Sequence, residues 1–417
     1  MLVFIYGGGG TIGSSGMALY EGANVARRGA VFVNFNYRVG AMGFLAHTDL
    51  TRESPHRQSG NYGYLDQVAA LEWIHRNIAA FGGDPAKVVI SGQSAGASSV
   101  SLLQASPLAR GLFRGAVAMS GGAWSGGGEA APIETAQQTG LQVQAALKAP
   151  TLAGLRDIPA DRVLALQEDC QLGCSGSIRI GGVNVDGYFL SDSPRKLFQE
   201  HRQNDVPVLL GFTHDESCNA LCTAKNREEY QAAAAKLYGK DAAEFLKLYP
   251  AAGDAEVREM GRTAAREGMV ERGMRNWAVA QARDGKAPVW MFQFSRVHPY
   301  IPGVAIADQD PATIGAYHTS DVPYWFGTLE ALNLIRPTRQ WTEYDRGLSA
   351  RMTDALIAFA KSGNPNTPAV AWPAWTPAAE RLIEFGDQVR ALPMDTPRME
   401  FMAAHPPAGG PRRPARD

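Results

Sequence analysis

An apolar run, Val88 to Ser91, passes directly into Gly92-Gln93-Ser94-Ala95-Gly96 and then into Ala97 to Gln104, whose spacing suits a helix. A serine on so tight a strand-to-helix turn is held exposed on strained backbone, and the flanking glycines make room for it. The same five residues could form a plain Ser/Gly-rich loop. Their setting between a strand and a helix makes Ser94 a candidate nucleophile, and it requires a strand that ends at an open surface.

The rest of the first half agrees with that requirement. Short apolar, β-rich runs at Leu2 to Tyr6, Ala30 to Tyr37, Val88 to Ser91 and Gly115 to Met119 alternate with helical patterns. Such alternation predicts a mainly parallel sheet covered by helices. Leu65, Val68, Ala69, Leu71, Ile74 and Ile78 form a helical stripe within Leu65 to Ala80, ended by Gly82-Gly83-Asp84-Pro85. Val206 to Gly211 and Val289 to Phe294 read as later strands, separated by an Ala-rich helical stretch from Glu228 to Gln281. Gly121 to Arg202 is less regular, with Gly126-Gly127-Gly128 as a loop and Asp186-Gly187 as a turn, and reads as an excursion over one end of the sheet. One elaborated domain over residues 1–403 is expected. Residues 404–417, rich in Pro, Gly and Arg, read as a disordered tail.

Composition removes several classes of function. With 40 Lys plus Arg against 41 Asp plus Glu, no bulk charge argues for nucleic acid or an anionic membrane. No apolar run approaches the roughly 18 residues of a membrane span, and no export signal is visible at the start. Cys170 with Cys174 and Cys218 with Cys222 form two close pairs, whose spacing fits structural zinc poorly. Local disulfides and plain thiols both remain open.

A second signal is Tyr6-Gly7-Gly8-Gly9-Gly10, directly after the first run. Small residues there let backbone N–H groups approach a ligand, and with the amide of Ala95 they would form an oxyanion hole. A phosphate loop would continue into Gly-Lys-Ser/Thr, which does not follow. For an acid to partner a histidine, Asp215 and Glu216 in His214-Asp215-Glu216-Ser217 are equal rivals by spacing.

In this order the segments resemble the type-B carboxylesterase/lipase family, the cholinesterase-like hydrolases. The resemblance rests on Asn36-Tyr37-Arg38-Val39-Gly40, Gly60-Asn61-Tyr62-Gly63, Leu65-Asp66-Gln67, Phe81 to Pro85, the Ser94 turn, Gly111-Leu112-Phe113 and Ser120-Gly121. It resumes at Gly211 to Glu216, His318 to Gly327, Phe359 to Asn366 and Trp372-Pro373. It implies the α/β-hydrolase fold, with a mainly parallel central sheet, helices on both faces and large insertions over the catalytic end. It also implies a serine hydrolase cleaving small-molecule carboxylic esters, without metal or organic cofactor.

Carried over residue by residue, the resemblance gives Ser94, Glu216 and His318 as the triad and the amides of Gly8, Gly9 and Ala95 as the oxyanion hole. It makes Arg38 and Asp66 a structural ion pair, places Gln93 with Ser120 and Asp321 as polar groups around the catalytic residues, the last two supporting the His318 region, and sets Trp124 near the acyl pocket. Of the remaining histidines, His214 reads as a surface residue or a pocket residue and His298, beside Pro299, as loop. The chain departs from the family at Gln93, where cholinesterase-type members have Glu, which disfavours a choline ester. It also lacks about a hundred residues that the family carries before the oxyanion strand, near one small domain in size. From this the chain is expected to be a fragment of a longer esterase whose strand Ala30 to Tyr37 presents an unpaired apolar edge. Two other readings stay beside this one: an amide or thioester hydrolase using the same triad, and a non-catalytic cholinesterase-like binding protein.

Overall fold

Val89–Gln93 and Val208–Thr213 are buried along their whole length, as strands covered on both faces must be. Both lie in the middle of an eight-stranded sheet in a computed structural model that describes residues 1–405 except 125–129, 172–179, 181 and 308. In chain order the strands are β1 (Leu2–Ile5), β2 (Phe32–Asn34), β3 (Val89–Gln93), β4 (Gly115–Met119), β5 (Ala131–Pro132), β6 (Asn184–Val185), β7 (Val208–Thr213), β8 (Val289–Phe294), β9 (Arg381–Phe385) and β10 (Val389–Pro393). The main sheet runs β2-β1-β3-β4-β7-β8-β9-β10, while β5 and β6 pair separately. All main-sheet neighbours are parallel except β9 and β10, an antiparallel pair that the sequence reading did not contain.

The Ala-to-Gln helix Ala95–Ala105 packs against β1, β3 and β4, and helix Val270–Asp284 packs against β7 and β8. The predicted helix at Leu65 to Ala80 is Tyr62–Asn77, tightening into a 3-10 turn at Ile78–Phe81 before Gly82 takes a left-handed φ of 78°. The single helical stretch expected over Glu228 to Gln281 is broken into Arg227–Tyr238, Ala242–Leu248, Asp254–Gly268 and Val270–Asp284, each break falling near a glycine or a Pro. Gly239, Pro250, Gly253 and Gly268 mark these breaks in the sequence, but the Ala-rich helical propensity around them masked the signal.

The excursion between β4 and β7 has an apolar cluster of its own around Val143, Leu147, Leu152 and Leu155, joined to the body through Ala41. His47 Nε2 meets Gln144 Oε1 at 2.6 Å and fastens helix Ile133–Ala146 to it. The loop read at Gly126-Gly127-Gly128 lies outside the described residues. At the other end, helix Thr396–Ala404 closes with His405 Nε2 against Asp241 at 3.2 Å, so Ala404 and His405 belong to an ordered element; residues 406–417 lie outside the described residues.

β1 is flanked by β2 and β3, and β2 has no second neighbour among the described residues. The expected unpaired edge is present, but the strand is shorter than Ala30 to Tyr37: only Phe32–Asn34 is strand, and these residues are half-buried. The segment at 15–20 covers part of that edge, with Asn34 Nδ2 donating to Ser15 O at 2.9 Å and Ser15 N–H donating to Asn36 Oδ1 at 2.9 Å. A short, polar-stapled strand is one of the ways a sheet edge is blunted.

Candidate active site

β3 ends at Gln93, and Ser94 takes φ 59° and ψ −123° before helix Ala95–Ala105 begins. Side-chain-bearing residues avoid that backbone region because Cβ crowds the peptide groups, so the turn must be held from outside. It is held: Ser94 N–H donates to Met119 O at 2.8 Å, which ties the turn to the end of β4. A Cβ on Gly96 would stand 2.0 Å from Ile5 O, so the first helical turn can lie this close to β1 only with glycine there. Ala95, first in its helix, has an amide without an intrahelical acceptor. Ser94 Oγ makes no hydrogen bond within the described residues.

Because β1 is the sheet neighbour of β3, the loop after β1 lies beside the Ser94 turn. A Cβ on Gly7 would be 2.8 Å from Ser94 Cβ. The loop reverses at Gly8 (φ 114°) and Gly9 (φ 66°), with the amides of Thr11 and Ile12 donating to Gly8 O at 3.0 and 3.1 Å. Three candidate oxyanion donors, Gly8, Gly9 and Ala95, are thus carried by two adjacent strand ends.

The candidate acid follows the end of β7. Glu216 folds back so that Oε1 accepts the Thr213 N–H at 2.8 Å while Oε2 meets His318 Nδ1 in a close ionic hydrogen bond. Its side chain is 3% exposed. Asp215, the rival by spacing, does not touch the imidazole; it bonds His214 Nδ1 at 3.0 Å and the Ala316 N–H at 2.8 Å. Burial lowers the pKa of His318, but hydrogen bonding to Glu216 and its charge outweigh this and raise it. A proton held on Nδ1 by Glu216 leaves Nε2 as the lone-pair nitrogen, the tautomer a general base requires.

That free nitrogen is met by the Gln93 side-chain amide, Nε2 to Nε2 at 3.1 Å. Gln93 immediately precedes Ser94, so the contact brings the imidazole to the nucleophile turn. Gln93 was expected among the polar groups around the catalytic residues, but its direct contact with the imidazole had no signal in the spacing.

The Ser120 and Asp321 side chains make no hydrogen bond to His318 among the described residues. Ser120 Oγ is buried with no partner among the described residues, and Asp321 Oδ2 accepts from Trp325 Nε1 at 3.1 Å while Oδ1 is unpaired. Burial, then the charge of Glu216, pushes the Asp321 carboxyl up to about 7. Its influence on the site is electrostatic, and Ser120 contributes through its backbone, whose N–H donates to Gly211 O at 2.7 Å.

His298, read as loop, is buried. Its Nε2 reaches Ser320 O at 2.9 Å and its Nδ1 the Tyr317 hydroxyl at 3.4 Å, on both sides of His318, and burial holds its pKa down to about 3. The ring is therefore a neutral brace for the histidine loop. A lone His next to Pro gives no sequence sign of this. Trp124 is stacked on Trp277 and edge-on to Phe198, with ring centroids 5.6 and 4.7 Å away. Arg38 and Asp66 pair as expected, bidentate at 2.8 and 2.7 Å, with Arg38 N–H also donating to Asp66 at 2.9 Å. Cys218 and Cys222 form a disulfide just beyond the acid, which removes them as metal thiolates; Cys174 lies outside the described residues.

Residues 1–402 match the sequence profile of the carboxylesterase family. The chain is 32% identical over 401 residues to the fumonisin B1 esterase of Sphingopyxis macrogoltabida, covering 93% of this chain and 70% of that protein. It is 32% identical over 390 residues to the para-nitrobenzyl esterase of Bacillus subtilis (strain 168), covering 90% of this chain and 73% of that one. A solved structure of PNB esterase superposes with a TM-score of 0.76 at 29% identity, over 96% of this chain and 79% of the other.

Proposed function

The chain belongs to the carboxylesterase family, and on that premise we propose how its ester-hydrolysing chemistry is divided among its own residues. Ser94 Oγ attacks the ester carbonyl as His318 Nε2 removes its proton. Glu216 keeps the imidazole in the required tautomer and stabilises the imidazolium that forms. The amides of Gly8, Gly9 and Ala95 receive the developing oxyanion. His318 then protonates the leaving alcohol, and water repeats the sequence on the acyl-enzyme.

The observation that carries this reading is the Glu216 contact with His318 Nδ1, made while Gln93, the residue before Ser94, touches Nε2. It supports Glu216 rather than Asp215 as the acid, with the base facing the nucleophile turn. The acyl side of the site is assigned to the region of Trp124, whose segment leaves β4 beside the Ser94 turn: a Cβ on Gly121 would be 2.3 Å from Ser94 O.

A panel of p-nitrophenyl esters, the matching anilides and the matching thioesters tests the substrate class. Preference for the esters in kcat/KM supports the proposal. Faster turnover of the anilides or thioesters overturns it in favour of the other acyl donors the same triad serves.

A further inference from the structure

Asp215 lost the contest for the imidazole, yet it is 9% exposed at its side chain and fully engaged. Its backbone N–H donates to Ala316 O at 2.9 Å, and its own carboxylate Oδ2 accepts the Ala316 N–H at 2.8 Å. One residue thus grips both polar groups of Ala316, with the carboxylate taking the place that a backbone carbonyl would hold between paired strands. Ala316 stands two residues before His318, and Asp215 one residue before Glu216. The neighbour Gly315 is built for the same contact: at φ 67°, a Cβ there would lie 2.2 Å from Asp215 Oδ2. Asp215 is anchored in turn by His214 Nδ1 at 3.0 Å and Arg262 Nη1 at 3.4 Å. Arg262 also reaches Thr313 O on the histidine loop, and Arg266 Nη1 reaches His214 O at 3.5 Å. Both arginines come from helix Asp254–Gly268, which braces the two loops from outside.

From this we infer that Asp215 is a positioning residue that docks the histidine loop onto the acid loop and so sets the Glu216–His318 contact. The inference rests on Glu216 and His318 being acid and base, as proposed above. Burial alone would push the Asp215 carboxyl up, but the His214 ring, the Ala316 N–H and Arg262 outweigh it and hold the group ionised, in the form that accepts hydrogen bonds best.

The test is steady-state kinetics on a p-nitrophenyl ester across pH for Asp215→Ala, Asp215→Asn, Gly315→Ala and Glu216→Gln. Misplacing a catalytic group by an ångström costs about 100-fold, so Asp215→Ala is expected to lose kcat on that scale with little change in KM. Its acidic limb should move to lower pH, because a loosened Glu216 no longer raises the imidazole pKa. Asp215→Asn retains an oxygen for the Ala316 N–H and should recover most of the loss. Gly315→Ala, which expels the carboxylate without altering it, should reproduce the Asp215→Ala signature and carries the test if that variant does not fold. Wild-type kcat and an unmoved limb in Asp215→Ala overturn the inference, as does a kcat loss with the limb unmoved. Should Glu216→Gln keep wild-type kcat, the triad assignment itself fails; should Glu216→Gln be crippled while Asp215→Ala is not, only the positioning role falls.

Discussion

Replacing Ser94 by glycine should make the protein more stable than replacing it by alanine, although both variants lose the nucleophile. Ser94 sits at φ 59° and ψ −123°, where a Cβ is strained, and alanine keeps that Cβ while glycine does not. Holding a non-glycine residue in such a region costs about 1–3 kcal/mol. Glycine returns about 0.5–1 kcal/mol of this through the greater freedom of the unfolded chain. Since Ser94 Oγ makes no hydrogen bond among the described residues, its removal is common to both variants and cancels. The net expectation is that Ser94→Gly exceeds Ser94→Ala by about 0.5–2 kcal/mol. Unfolding entropy is about 2.1 cal/mol/K per residue, so the 417-residue chain gains ~0.9 kcal/mol/K and the difference appears as about 1 °C in Tm. Paired scanning calorimetry of the two variants in one buffer resolves it. A Ser94→Gly protein melting at or below Ser94→Ala would refute the strain argument.

The raised pKa of His318 predicts a kcat/KM that falls as pH drops through the value of the imidazole, which must be neutral to act as base. Gln93→Glu places an anion against Nε2, favours the imidazolium, and should move that acidic limb to higher pH; a limb that stays put or moves down would show that Gln93 does not face the base. With Gln93 neutral, a choline ester should hold no advantage over a neutral ester of the same acyl chain. A preference of about tenfold or more, ~1.4 kcal/mol of transition-state binding, would reveal a cation site elsewhere. Reducing the Cys218–Cys222 disulfide should lower stability by about 2 kcal/mol, the loop-closure value for so short a loop, and an unchanged unfolding midpoint under reductant would count against it.

Where local chemistry determined structure, the sequence could be read closely. The turn at Ser94 needs small residues at fixed positions, and Gly92 and Gly96 announce it. Buried central strands are nearly continuous apolar runs, so β4 and β8 fall where their runs lie, at Gly115–Met119 and Val289–Phe294. β2 was overestimated because apolarity marks burial as well as strand: Val31 and Phe35 are half-buried beside a strand only three residues long. The choice between Asp215 and Glu216 could not be made from spacing, since the side chains of adjacent residues diverge and only tertiary contacts tell which meets the imidazole. His298 and the bracket around Ala316 were illegible for the same reason. Each joins segments far apart in sequence, and neither His-Pro nor Ala carries a motif.

Ester hydrolysis by this chain requires Ser94 to be the nucleophile that His318 and Glu216 activate. Mass spectrometry of the protein after a fluorophosphonate, with wild type, Ser94→Ala, His318→Ala and Glu216→Gln compared, measures this directly. One adduct on the Ser94 peptide is predicted for wild type, none for Ser94→Ala, and labelling slowed by several powers of ten for His318→Ala, with a smaller loss for Glu216→Gln. An adduct on another residue, or Ser94 labelling at wild-type rate in His318→Ala, would contradict it.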